Sequence, residues 1–145
     1  MIDLNLSFQK IIPTSSQIKT LYQILAQRDY FISNESSTTF IDHERFVINH
    51  PYRRWYLIYE KEHCVGSFYI QYDNSIGINF VTKVTSNKID QILIFTRKTL
   101  KPLKPIPSVR YKNFFLNVPV QNKKLQRILN NLGYTSTQIS FTLKE

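Results

Sequence analysis

At 145 residues, 42% of them hydrophobic and 14% aromatic, the chain is long enough to bury a core and too apolar to be a disordered segment. No apolar run approaches the ~20 residues that span a bilayer. No basic-then-apolar leader opens the sequence, and a lone Cys64 excludes an internal disulfide, so one domain over residues 1–145 in a reducing cytoplasm is expected. The formal charge of +9 is uneven: twelve Lys and Arg follow Phe80 against two acids, whereas the first 80 residues are nearly neutral. Such asymmetry points to an anionic partner on the C-terminal half.

Leu4, Leu6 and Phe8 alternate within Asp3–Ile12 and predict a first strand. Pro13 to Gln17 reads as a helix start, with Thr14 and Gln17 at capping-box spacing, and Ile18, Leu21, Tyr22 and Leu25 mark one helical face. Asp29–Thr39 is polar and Ser-rich, a loop, and Phe40–His50 is a short second helix ended by Pro51. Arg54–Glu60, Val65–Tyr72 and Ser75–Phe80 read as three successive antiparallel strands, turned at Lys61-Glu62-His63 and Asp73-Asn74.

Lys88–Leu100 has helical spacing, and Lys101–Pro107 is a Pro-rich basic connector. The stretch Val81–Arg110 is long enough for a right-handed crossover to a parallel strand at Asn113–Val118. Asn122 then suits a helix cap, and Leu125, Ile128, Leu129 and Leu132 line one face up to a left-handed stop at Gly133. Ile139, Phe141 and Leu143 alternate with polar residues and predict a final half-buried strand.

The run Asn122-x-x-Leu125-x-x-Ile128-x-Asn130-x-Leu132-Gly133-Tyr134, with a strand predicted on each side, resembles the C-terminal signature of the GNAT acetyltransferase superfamily. Val65-Gly66 and Ile76-Gly77-Ile78 resemble its third and fourth strands. The resemblance implies an α/β (α+β) fold in the order β-α-α-β-β-β-α-β-α-β. Its sheet is mixed, mostly antiparallel, of about seven strands with flanking helices. It also implies acetyl-CoA as acyl donor, a small-molecule amine as acceptor, and a possible homodimer through C-terminal strands. No membrane and no metal enter.

In the superfamily the fourth and fifth strands splay, leaving backbone groups for the pantetheine arm. The tip of the crossover helix meets the diphosphate. The resemblance therefore points to Phe80, Val81, Thr82, Thr85, Ser86, Asn87, Lys88, Asn117 and Asn122 as cofactor-binding residues. The sequence departs from the pattern twice: residues 81–88 contain no glycine, and Leu129 stands where many members carry a proton-donating Tyr.

Catalytic candidates are Asn117, Tyr69 and Glu60, with Asp73, His50, His63 and Asn79 behind them. Asn117 leads because a polar side chain inside an apolar strand must find a partner. Tyr52, Arg53, Arg54 and Trp55 combine cations and aromatics that suit an acceptor. Cys64 and His63 are strand neighbours on opposite faces and cannot act as a couple. Two other readings remain: a catalytically silent domain of the same fold, favoured by the missing glycines, and a nucleic-acid binder stacking bases on Tyr111, Phe114 and Phe115.

Overall fold

The computed structural model describes residues 5–27 and 39–145. In chain order it contains β1 (Leu6–Lys10), α1 (Ser15–Leu25), α2 (Phe40–Ile48), β2 (Arg54–Glu60) and β3 (His63–Ile70). Then follow β4 (Ser75–Phe80), α3 (Ser86–Thr99), β5 (Phe115–Leu116) and α4 (Lys123–Asn131). The strands lie side by side in sequence order, antiparallel except for the parallel β4–β5 pair.

Alternation splits the sheet's apolar residues between two cores. Tyr56, Ile58, Phe68, Ile70 and Ile76 face α3 and α4, meeting Ile89, Ile92, Leu93, Leu125 and Ile128. Trp55 and Leu57 face α1 and α2, meeting Ile18, Leu21, Ile24 and Val47. The helices begin where side-chain oxygens can satisfy first-turn amides. Thr14, Thr39, Thr85 and Asn122 accept from the amides of Gln17, Asp42, Lys88 and Leu125. Gln17 does not close a capping box; its carbonyl accepts from the Ile12 amide and its NH2 donates to Lys10 O, tying α1 to the end of β1. Gly133, at φ 96°, stops α4, and the Tyr134 amide returns to Leu129 O.

Several expectations need correction. Five strands occur among the described residues instead of about seven. The third strand begins at His63 and pairs with Glu60, so Lys61 and Glu62 alone make the turn. The fifth is two residues long instead of six. The final strand is absent: residues 135–145 form no ladder among the described residues, and Ile139, Phe141 and Leu143 are 79%, 85% and 87% exposed. Alternation specifies which faces a strand would show, but a strand forms only against a hydrogen-bonding edge. Leu4 and most of the expected loop Asp29–Thr39 lie outside the described residues. Among the described residues no helix is long and apolar enough to cross a membrane.

Candidate active site

The β4–β5 ladder has two rungs, Ser75↔Phe115 and Ile76↔Leu116, and then stops although β4 continues to Phe80. On the β3 side of β4, Ser75 O accepts from Gln71 N and Val81 N donates to Val65 O; on the β5 side, Asn74 O accepts from Phe115 N. Backbone groups alternate sides along a strand, so Ile76, Ile78 and Phe80 turn theirs toward β5. Beyond Ile76 that partner is gone. The amides and carbonyls of Ile78 and Phe80 therefore line a wedge, and backbone groups of such half-buried residues call for a ligand or water.

The closed end of the wedge is built by Asn74, fully buried in the left-handed region at φ 74°. Its NH2 donates to Leu103 O (3.0 Å) and Tyr111 O (2.8 Å), and its Oδ1 accepts from Leu103 N (2.8 Å). One side chain thus ties the β3–β4 turn to the connector that delivers β5. Arg110 adds bonds from the same connector to Lys104 O and Tyr72 O.

At the open end stands the tip of α3. Thr85 caps the Lys88 amide, which leaves the Ser86 and Asn87 amides without partners inside the helix. Those amides and the helix dipole favour an anion. The Lys88 ammonium lies 5.9 Å from the centre of the Phe80 ring and donates to Lys83 O at 2.8 Å, which places the helix tip beside the last residue of β4. It also meets Glu60 Oε1 at 2.6 Å, a charge contact between two largely buried side chains. The arrangement suits an extended, amide-bearing ligand whose far end carries a diphosphate.

On the α1–α2 face of the wedge, Trp55, Tyr69 and Gly77 form one cross-strand row, and Leu57, Ser67 and Asn79 the next. The Tyr69 ring lies flat over Gly77, where a Cβ would collide with Tyr69 Cζ and Oη. Only glycine leaves room for that ring. Tyr52 stacks on its other side at 4.1 Å with 8° between planes, so Tyr69 is clamped and its hydroxyl carried across β4. Trp55 and Phe46 pack edge-on against Tyr52, and His50 lies tilted over it at 31°. In the next row the Asn79 Nδ2 is buried with no hydrogen-bond partner.

The sequence-predicted residues fall unequally on this site. Phe80, Thr85, Ser86, Asn87 and Lys88 gather at the open end, and Thr82 is exposed in the loop leading there. The Val81 amide is taken by Val65 O and so is not a phosphate donor. Asn122 spends its Oδ1 on the Leu125 amide as the α4 cap. Asn117 is exposed just past the two-residue β5, so the buried-polar reasoning that chose it fails there and belongs to Asn79 instead. Glu60 sits on β2, two strands from the wedge, against Lys88.

Tyr52, Arg53, Arg54 and Trp55 do not share a surface. Trp55 is 3% exposed in the α1–α2 core. Arg54 lies on the opposite face, where it opposes the upward push of burial on the Tyr56 phenol, and Arg53 donates to Lys101 O. His50 Nδ1 accepts from the Tyr52 amide. Burial pushes the Cys64 thiol up, with hydrogen bonds opposing it, so it stays protonated and inert. Reasoning from sequence missed Asn74: turn chemistry flagged it, but nothing local shows three side-chain bonds to residues 29 and 37 positions away.

No family model matches the sequence, and no curated protein matches it. Solved structures do. An aminoglycoside N-acetyltransferase in complex with CoA aligns over 99% of this chain and 97% of its own, with TM-score 0.63 and 7% identity. A spermidine N-acetyltransferase from Vibrio cholerae aligns over 92% and 81%, with TM-score 0.59 and 13% identity. A GNAT-family acetyltransferase from Streptococcus pneumoniae aligns over 99% and 100%, with TM-score 0.50 and 16% identity. The chain has the GNAT acetyltransferase fold, as its C-terminal signature implied.

Proposed function

We propose that this GNAT-fold chain is an acyl-CoA-dependent N-acyltransferase, which moves an acyl group, acetyl in the simplest case, from a CoA thioester to a small-molecule amine. The observation that supports it is the ladder ending at Ile76↔Leu116 beside the free tip of α3. The residues present fit acetyl-CoA. Unpaired groups of Ile78 and Phe80 match pantetheine amides, and the Ser86 and Asn87 amides with Lys83 and Lys88 match a diphosphate. A helix tip then does the work of the missing glycine loop. The thioester, when bound, supplies an activated acyl carbonyl. The chain aligns that carbonyl against β4, keeps water from it with the aromatic cluster, and offers amide donors where charge gathers on oxygen.

Neighbours named for aminoglycosides and spermidine support an amine acceptor. The nucleic-acid reading loses ground because Phe114 packs into the α3–α4 core rather than facing solvent. The single thiol suits a reducing cytoplasm. Calorimetric titration with CoA, followed by thiol release from acetyl-CoA with an amine panel, tests the reading. Saturable binding and amine-dependent release are expected. Absence of CoA binding sinks the assignment, and binding without turnover leaves the silent-domain alternative.

A homodimer completes the proposal. The arm 135–145 offers alternating apolar residues and an unpaired backbone, and its formal charge is balanced by Lys144 and Glu145. Removing residues 135–145 is expected to halve the mass seen by light scattering and to remove the concentration dependence of the melting temperature. A full-length monomer overturns it.

A further inference from the structure

Of the polar groups near the wedge, one has a location that packing does not explain. Asn79 lies on β4 between the two wedge-lining residues, Ile78 and Phe80, on the face where Tyr69 crosses Gly77. Its Nδ2 is buried without a partner, a state that costs stability relative to a satisfied or apolar group. Its cross-strand neighbour Ser67 is itself buried, and the helices over this face present mostly apolar residues, their buried polar Gln17 and His43 being bonded to Ile12, Lys10 and Ile18. A carboxamide donor without a protein acceptor, beside backbone amides that have lost their strand, is half of a hydrogen bond whose other half is a ligand oxygen.

We propose that the Asn79 carboxamide is the side-chain donor for the acyl carbonyl oxygen of a thioester lying in the wedge, with Tyr69 over Gly77 walling the site from the β3 side. This rests on the acyltransfer reading above. In the transfer, the amine nitrogen bonds the carbonyl carbon while the carbon–oxygen π pair moves onto oxygen, where Asn79 and the wedge amides receive it. The pair returns, the carbon–sulfur bond breaks, and sulfur leaves with its electrons; the amine gives up one proton to water and the thiolate takes one back. The role left open at Leu129 concerns sulfur; Asn79 acts on oxygen.

A donor kept for a ligand weakens the empty protein, and that separates this role from a structural one. Asn79→Leu is nearly the same size and removes the orphaned donor. In the ligand-free protein its melting temperature is expected to stay level or rise by about 2–4 °C. The same variant should bind CoA like the parent and lose the parent's preference for acetyl-CoA over CoA. Its turnover number should fall by about 10²–10³, as when one oxyanion donor is removed elsewhere, with the KM for the amine little changed. Asn79→Asp, which turns the donor into an anion, should be worse than leucine in turnover. A drop in melting temperature for Asn79→Leu overturns the proposal, because the amide is then holding the fold. Unchanged turnover with an unchanged acetyl-CoA-to-CoA affinity ratio overturns it too. Failure of the parent protein itself to bind CoA removes the acyltransfer reading instead, and this proposal with it.

Discussion

Two asparagines five positions apart mark the two ends of the wedge, and they are used in opposite ways. Asn74 makes three side-chain hydrogen bonds to a connector some thirty residues away, and accepts from the Phe115 amide besides. Asn79 has a buried NH2 with no partner at all. The same side chain closes the sheet at one end and leaves a donor waiting at the other. A saturated polar group stabilises one geometry, while an unsaturated one lowers stability and gains only when something binds.

The largest effect is expected from Asn74→Ala. It strands Leu103 N, Leu103 O and Tyr111 O and places a Cβ-bearing residue without a compensating side chain at φ 74°. We expect a loss of about 3–5 kcal/mol by urea denaturation, from several unmade bonds together with left-handed strain. A loss below about 1 kcal/mol would break the contrast with Asn79, since both asparagines would then be dispensable to the fold.

The smallest effect involves neither asparagine and checks that the wedge is insulated from the rest. His43 is buried and donates from Nε2 to Ile18 O at 2.9 Å; burial lowers its pKa from 6.5, and the hydrogen bond only partly opposes this. Burial lowers that of His50 as well. A lowered native pKa means the unfolded chain takes up the proton first as pH falls. The stability is therefore complete above pH 6.5 and is lost as pH drops from 6.5 toward the native values, by at most about 1.4 kcal/mol per pH unit per group. Denaturation midpoints measured between pH 7.5 and 5 should show this slope, and His43→Gln should reduce it. A profile flat across that range contradicts the burial of both rings.

Much of this was legible in the chain. Helix caps at Thr14 and Asn122, the strands Arg54–Glu60 and Ser75–Phe80, and the stop at Gly133 were each written in two to five adjacent residues, because caps, alternation and left-handed glycines are local physics. The Asn117 choice shows the limit. The rule about polar residues in apolar strands was sound, but it needed a strand as long as Asn113–Val118, and the ladder ended at Leu116. Applied to β4 the same rule selects Asn79. The clamp of Tyr52, Tyr69 and Gly77 was equally out of reach, since it joins residues from a loop, β3 and β4 through one face of the sheet.

By itself the sequence determined the order of the elements as far as α4, the alternation of the central strands, and the basic second half, and it called for a final strand that did not form. Tertiary structure alone decided where the β4–β5 ladder stops, which asparagine is saturated and which is left over, and that the arm 135–145 finds no edge among the described residues. The division has a physical cause. Caps, turns and periodicity are settled within a few residues, whereas a ladder's end or an orphaned donor depends on groups brought together from distant parts of the chain, and no short window of sequence contains both partners.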